Sequence, residues 1–172
     1  LQWWSGARTH FRAMLLGTAG TGKTTTLKVL LKELKQHGLK KVAVGAYTGV
    51  AASNIGLGTR TLTDLFRLAK INEASGDLLP LEGEDLETFK EDMAGLELLI
   101  VDETSMVSRV VLSQIHARLR EWRLAMGNPI LATGERASEE VFGGVAVILA
   151  GDFGQLPPVA ISPSLSLLHG HV

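Results

Sequence analysis

The stretch that decides the fold is residues 12–24, RAMLLGTAGTGKT, where a short apolar run passes into a glycine-rich turn. The apolar run predicts a buried strand, because it ends at Gly17 and a turn follows. Beyond the turn, leucines recur at helical spacing while lysines take the opposite side, which predicts an amphipathic helix closed by Gly38. These leucines are Leu27, Leu30, Leu31 and Leu34.

Residues 17–24, here called the glycine loop, match the pattern G-x-x-x-x-G-K-[ST] between a predicted strand and a predicted helix. Glycines let successive backbone N–H groups turn inward and hold phosphate oxygens at the positive end of a helix. Lys23 adds a mobile positive charge, and the Thr24 hydroxyl can ligate magnesium. The alternative is a simple glycine-rich turn, but four specified positions coincide by chance only about once in 10⁴ to 10⁵ windows. The predicted phosphate-binding residues are Gly17, Thr18, Ala19, Gly20, Thr21, Gly22, Lys23, Thr24 and Thr25.

Apolar strands alternate with amphipathic helices along the rest of the chain. Further strands are predicted at 41–47, 96–101 and 144–150. Fully apolar strands in this alternation predict an α/β fold with a parallel sheet covered by helices on both faces. Between the strands the patterns predict short helices at 49–55 and 61–69, a solvated acidic loop at 72–88, a helix with Val111, Ile115, Leu119 and Trp122 on one face, and a polar insertion at 125–140.

An acidic pair, Asp102 and Glu103, follows the predicted strand at 96–101, and Gln155 follows the predicted strand at 144–150. Both groups are therefore expected at the carboxyl edge of the sheet, beside the glycine loop. Asp102 would hold magnesium directly or through water, and Glu103 would orient and deprotonate an attacking water. The alternative for this acidic pair is an ordinary helix cap. The Gln155 amide could bond a γ-phosphate or the attacking water. The alternative for Gln155 is a surface turn stiffened by the prolines that follow.

The composition limits the size of the fold and the kinds of partner and site that the chain can have. The 172 residues are 45% hydrophobic, enough for about one domain, and the formal net charge of −1 gives no global attraction to nucleic acid or membrane. This small net charge results from two opposite halves, because residues 1–80 have a net charge of +7 and residues 81–172 have a net charge of −8. The chain has no cysteine, which excludes a disulfide scaffold and a cysteine-ligated zinc site. No apolar run approaches the roughly 20 residues of a membrane span, so no membrane partner is expected.

Several ordered blocks resemble the petite integration frequency (PIF) helicases, in the RecD-like branch of helicase superfamily one. The blocks are residues 17–24, 48–52 with 54–56, 58–62, 100–107, and 142–144 leading into 151–159. The resemblance implies a P-loop NTPase fold with a RecA-like sheet. It also implies that residues 1–160 form a first motor domain that binds ATP, with 161–172 as a truncated tail.

The resemblance implies an ATP-driven motor that moves 5′ to 3′ on single-stranded DNA and unwinds duplexes and forks. Its roles would lie in genome maintenance, including repair, recombination and telomere maintenance. ATP and Mg²⁺ are the implied cofactors. An intracellular location follows, in the nucleus or mitochondrion if the source is eukaryotic.

By the same resemblance, Lys23 and Thr24 serve the phosphates and magnesium, and the acidic pair serves metal binding and hydrolysis. Gln155 senses the γ-phosphate. Thr48, Gly49 and Thr61 approach the DNA backbone, a task that suits hydroxyl and backbone N–H groups because they position phosphates without reading sequence. The alternative for Thr48, Gly49 and Thr61 is helix capping.

In this family a second RecA-like domain brings an arginine finger to the ATP, which is worth roughly 10³ to 10⁵ in turnover. We therefore expect residues 1–172 alone to bind nucleotide but hydrolyse it very slowly, and not to unwind DNA. A different class of function stays open: a nucleotide-binding module without motor activity, in an interaction or regulatory role. A small nucleotide kinase is a weaker alternative, because it would not explain the block around Gln155.

Overall fold

The computed structural model describes residues 11–50, 52, 58–72, 77–131 and 134–154. The strands are β1 (Arg12–Leu16), β2 (Val42–Ala46), β3 (Arg60–Thr61), β4 (Leu98–Asp102) and β5 (Ala146–Gly151). They form one five-stranded sheet in the order β1-β5-β4-β2-β3. Every neighbouring pair is parallel, so all five carboxyl ends lie at the same edge.

Helices cover both faces of this sheet, as predicted. The helices are α1 (Lys23–Gln36), α2 (Leu62–Leu65), α3 (Gly83–Met93) and α4 (Arg109–Ala125). Leu98 and Ile100 of β4 pack in the core cluster that contains the α1 leucines. Leu99 and Val101 face the other way, into the cluster formed with α2, α3 and α4. Because side chains alternate along a strand, a stretch buried on both faces has to be apolar throughout, as β4 is from Leu98 to Val101.

The predicted acidic loop at 72–88 is wrong over its second half, because α3 begins at Gly83. Its acidic residues Glu84 and Asp85 occupy the first turn, where negative charge is favourable at a helix N-terminus. Phe89 and Met93, four residues apart, are fully buried on the inner side. The acidic composition thus marks the solvated face of a helix. The predicted helix at 61–69 is also shorter, since α2 ends at Leu65 and turns follow.

The predicted polar insertion at 125–140 packs against α4 in the part that the structure describes. The helix itself continues to Ala125, and Ala137, Ser138 and Glu140 are buried. The Arg120 guanidinium donates to the Ser138 carbonyl, while the Ser138 N–H donates to Oδ1 of Asn128 at 2.9 Å. Described residues of this segment therefore belong to the folded body of the domain.

Three consecutive residues before β5 have left-handed backbone angles: Phe142, Gly143 and Gly144, with φ of 56°, 63° and 70°. Two α4 side chains hold this turn. The Phe142 N–H donates to Nδ1 of His116 at 2.9 Å, and Nε of Arg123 donates to the Gly143 carbonyl at 2.9 Å. A Cβ on Gly143 would lie 2.9 Å from the Leu119 carbonyl oxygen, so this position requires glycine. The turn thereby sets where β5 starts.

We expect the free energy of unfolding to fall as the pH drops below about 6.5. Burial lowers the pKa of His116 from its usual 6.5, and the charges of Arg120 and Arg12 add to this effect. The unfolded chain therefore takes up the proton first, and stability is fully present only above the unfolded pKa. Protonation at Nδ1 would also abolish the bond from the Phe142 N–H. Urea unfolding at pH 7.5 and 5.5 measures the loss, and His116→Gln should show a smaller difference between the two pH values.

Candidate nucleotide-binding site

The glycine loop connects β1 to α1, and two of its glycines have left-handed backbone angles. Gly20 and Gly22 have φ of 78° and 86°, values that side chains disfavour and glycine adopts freely. Gly22 is the N-cap of α1 and provides no side-chain acceptor for the first N–H groups of the helix. The Thr21 hydroxyl donates to the Thr18 carbonyl at 2.8 Å and closes the loop on itself. This arrangement suits an anion at the helix N-terminus.

Lys23 is the first residue of α1, and its side chain folds back over the loop. Its Nζ donates to the carbonyls of Gly17 at 2.5 Å and Thr18 at 2.9 Å. An ammonium group carries three donors, so it can stay tied to the loop and still reach a phosphate oxygen. Thr24 follows in the first helical turn and is half-buried, whereas Ala19 and Thr25 are exposed.

The end of β5 links the glycine loop to the segment after the acidic pair. The Gly17 N–H donates to the Gly151 carbonyl at 3.2 Å. On the other side, the buried Thr104 hydroxyl lies 2.9 Å from the Ala150 carbonyl and 3.2 Å from the Val101 carbonyl. A Cβ on Gly151 would lie 3.0 Å from the Thr104 backbone nitrogen, so the two backbones approach closely and a side chain there would have to displace the turn slightly. Since β5 lies between β1 and β4, the strand ends that lead into the glycine loop and the acidic pair are about 10 Å apart, which is two strand spacings.

The acidic pair lies at the carboxyl edge of the sheet, as predicted. Asp102 is the last residue of β4, and both carboxylate residues are half-buried. Glu103 has φ of 54° and ψ of 41°, a left-handed conformation that costs an ordinary residue about 1–2 kcal/mol. A tight turn follows, in which the Met106 N–H donates to the Glu103 carbonyl at 2.9 Å. Backbone strain of this kind concentrates at functional sites.

A contact that the sequence did not predict joins the acidic pair to the segment after β2. The Thr48 hydroxyl donates to Oε2 of Glu103 at 3.1 Å, in a partly buried position. The parallel register explains this hydrogen bond. Ala46, the last residue of β2, pairs with Asp102, the last residue of β4, so the residues that follow the two strands start side by side. Predicting this contact would have required the strand order, and nothing in the local sequence pattern shows that β2 and β4 are neighbours.

The other two residues predicted to approach DNA also lie at this edge. Thr61 ends β3, and its hydroxyl oxygen accepts from the Asp64 N–H at 3.2 Å as the N-cap of α2, which is the capping role left open above. Its neighbour Arg60 donates to carboxylates of Asp64 at 2.6 Å and Asp92 at 3.0 Å. Gly49 is exposed, two residues beyond Tyr47.

Some predictions fall on residues that the structure does not describe, namely Gln155, residues 53–57 and the tail at 161–172. The turn before Gln155 is described, and in it the Gly154 N–H donates to Oδ1 of Asp152 at 2.9 Å. Among the described helices, none has the length and apolarity needed to cross a membrane.

Comparisons with known proteins bear on the family and the fold of this chain. A family model described as PIF1-like helicase matches residues 8–166. ATP-dependent DNA helicase PIF1 of Saccharomyces cerevisiae strain YJM789 is 34% identical over 151 residues, covering 86% of this chain and 16% of that protein. ATP-dependent DNA helicase RRM3 of Saccharomyces cerevisiae is 31% identical over 156 residues, covering 84% of this chain and 18% of that protein.

Solved structures extend the comparison to the fold. Bacteroides Pif1 bound to single-stranded DNA superimposes with a TM-score of 0.67 at 35% identity, covering 88% of this chain and 31% of that one. Bacteroides Pif1 in complex with ADP-AlF3 and single-stranded DNA also gives 0.67, at 34% identity, covering 92% and 32%. The chain thus spans under a fifth of these curated relatives and about a third of these solved chains. The P-loop, RecA-like fold class is confirmed, and the chain belongs to the PIF1-like helicase family.

Proposed function

We propose that this chain is the ATP-binding motor domain of a DNA helicase that moves 5′ to 3′ on single-stranded DNA and opens duplexes and forks. The observation that carries the proposal is the end of β5. Gly151 is bonded to the start of the glycine loop, and Ala150 is bonded to the turn that follows the acidic pair. A phosphate-binding loop and a carboxylate pair are therefore fixed to the same strand end, as ATP hydrolysis requires.

The nucleotide would bind with its phosphates against residues 17–25. Backbone N–H groups of the loop and of α1 would donate to phosphate oxygens, and Lys23 would neutralise the outer phosphates. Glu103 would orient the attacking water and accept its proton. Gln155 would bond the γ-phosphate, and this amide would differ in its contacts between ATP and ADP.

Thr24 and Asp102 would hold Mg²⁺ with the nucleotide. Both offer hard oxygen donors, and magnesium is usually held by one or two such side chains together with substrate phosphates. When bound, the ion would neutralise charge that develops on the phosphates. Asp102 supports this role because it ends β4 with its carboxylate at the edge where the glycine loop lies.

Single-stranded DNA would cross the same edge farther along, at the ends of β2 and β3. Thr48, Gly49 and Thr61 would contact backbone phosphates, which fixes the strand without reading its sequence. The exposed lysines of α1 lie on the opposite side of that helix from its buried leucines, and we assign them to a solvated face. A DNA substrate places the protein inside the cell.

The proposal is tested by ATP turnover of the full-length protein with and without oligothymidylate. We expect single-stranded DNA to stimulate turnover, and the apparent DNA affinity to fall steeply across a salt series. Lys23→Ala should weaken binding of a fluorescent ATP analogue by at least ten-fold, because it removes a charge-assisted hydrogen bond.

Lys32→Ala is the matched control, since Lys32 is an exposed lysine of the same helix. Turnover of Lys23→Ala equal to that of the unmodified protein would contradict the proposal. Nucleotide binding with no stimulation by DNA at any salt concentration would instead favour a nucleotide-binding module without motor activity.

A further inference from the structure

We propose that the Thr48 hydroxyl restrains Glu103 until DNA binds, and so couples DNA contact to ATP hydrolysis. The inference rests on the proposed function of the two sites that it joins. Its starting observation is the hydrogen bond of 3.1 Å from Thr48 Oγ1 to Glu103 Oε2, between residues 55 positions apart. One partner belongs to the proposed DNA-contacting set and the other is the proposed activator of water.

Both ends of this bond are held by the backbone. Thr48 lies two residues beyond β2, and its carbonyl accepts from the Ala52 N–H at 3.1 Å. Glu103 lies one residue beyond β4 in a left-handed conformation, with its own carbonyl bonded to the Met106 N–H. Since β2 and β4 are adjacent and in register, neither residue reaches its partner by a flexible loop. The position of both residues is therefore set by the two adjacent strands.

The chemistry of the hydroxyl makes the contact exclusive. A threonine hydroxyl has a single proton to donate, and a carboxylate and a phosphodiester are both acceptors without protons. A DNA phosphate can accept a hydrogen bond from this hydroxyl only if Glu103 loses it. The carboxylate then turns away from Thr48 and is free to orient the attacking water. Thr48 is in this scheme a positioning residue, because it acts on water only through Glu103.

Thr61 offers a contrast within the same set. Its hydroxyl oxygen caps α2 by accepting from the Asp64 N–H, and Asp64 is not a residue of the proposed nucleotide site. A DNA contact at Thr61 would hold the strand without any direct effect on hydrolysis. The coupling role is specific to Thr48 because only this residue of the two is bonded to the acidic pair.

The experiment measures ATP turnover of the full-length protein, with and without oligothymidylate, for Thr48→Val and Thr48→Ser. Valine keeps the shape and removes the donor, whereas serine keeps the donor. Thr48→Val should raise the DNA-free rate by about ten-fold, since a hydrogen bond to a charged acceptor is worth at least that factor. The stimulation by DNA should fall by a similar factor, and Thr48→Ser should restore both values.

Three controls separate coupling from general damage. Thr88→Val makes the same substitution at an exposed residue of α3 and should change neither rate. The thermal midpoint of each variant reports whether it folds. Adding Glu103→Gln to Thr48→Val should remove the raised DNA-free rate, because the released group is then an amide.

Each other outcome overturns the inference. If Thr48→Val loses stimulation with an unchanged DNA-free rate, Thr48 contacts DNA without restraining Glu103. If both rates fall together, Thr48 supports Glu103, and if neither rate changes the bond has no role. All three leave the proposed function intact, whereas the absence of DNA-stimulated turnover in the unmodified protein, or turnover of Lys23→Ala equal to that of the unmodified protein, would show that the proposed function itself is wrong.

Discussion

Replacing Glu103 by glutamine in the full-length protein is expected to lower kcat for ATP at saturating single-stranded DNA by about 10² to 10⁴. This is the range that a positioned general base contributes. An amide cannot accept the proton of the attacking water, but it has the size of the carboxylate and keeps an oxygen that can accept from Thr48. The left-handed backbone of Glu103 poses the same steric demand on both side chains. The fall in kcat should therefore come from the lost proton acceptor and not from a change in the fold.

Three measurements make this prediction specific. Binding of a fluorescent ATP analogue to Glu103→Gln should stay within about three-fold of the unmodified protein, because the glycine loop is unaltered. Glu91→Gln, on the exposed side of α3, should leave turnover unchanged. A kcat for Glu103→Gln within three-fold of the unmodified value would show that another group activates the water, and would remove Glu103 from the site.

The parts of the site that could be predicted from the sequence are those encoded locally. The glycine loop is a contiguous pattern whose geometry depends on its own backbone, so Gly22 and Lys23 are found where their spacing implies. Asp102 and Glu103 were predictable for a related reason: a run buried on both faces has to end at the edge of the sheet. The rule that parallel strands meet at one carboxyl edge placed these two local signals together independently of any resemblance to a known family.

Contacts that depend on strand order were not predictable in this way. The bond between Thr48 and Glu103 exists only because β2 and β4 are neighbours, and the link from Gly17 to Gly151 exists only because β5 adjoins β1. The partners of a buried charge also depend on the tertiary fold. Arg118 lies three residues after Ile115 and four before Trp122, on the buried side of α4, and is only 1% exposed, but the sequence does not show which groups it contacts.

Arg118→Met is expected to lower the free energy of unfolding by about 3–5 kcal/mol, because it removes a buried guanidinium that donates to four acceptors, one of them a partly exposed carboxylate. The guanidinium donates to Oε2 of Glu121 at 2.7 Å. It also donates to three carbonyls in the segment between α2 and α3: those of Phe66 at 3.2 Å, Arg67 at 3.3 Å and Leu79 at 2.8 Å. Methionine fills a similar volume but leaves these oxygens without their donor, and unsatisfied buried acceptors carry a further cost.

Urea unfolding followed by circular dichroism measures this loss, and two variants calibrate it. Arg120→Met removes an exposed arginine of the same helix that is bonded to one carbonyl, and should cost less than about 1 kcal/mol. Arg118→Lys keeps the charge but lacks the planar fork that reaches several oxygens at once, so its cost should fall between the other two. Equal costs for Arg118→Met and Arg120→Met would mean that the hydrogen bonds of Arg118 contribute little to holding Phe66, Arg67 and Leu79 in place. A large cost confined to Arg118 would show that one buried guanidinium positions the chain between Thr61, at the proposed DNA contact, and α3.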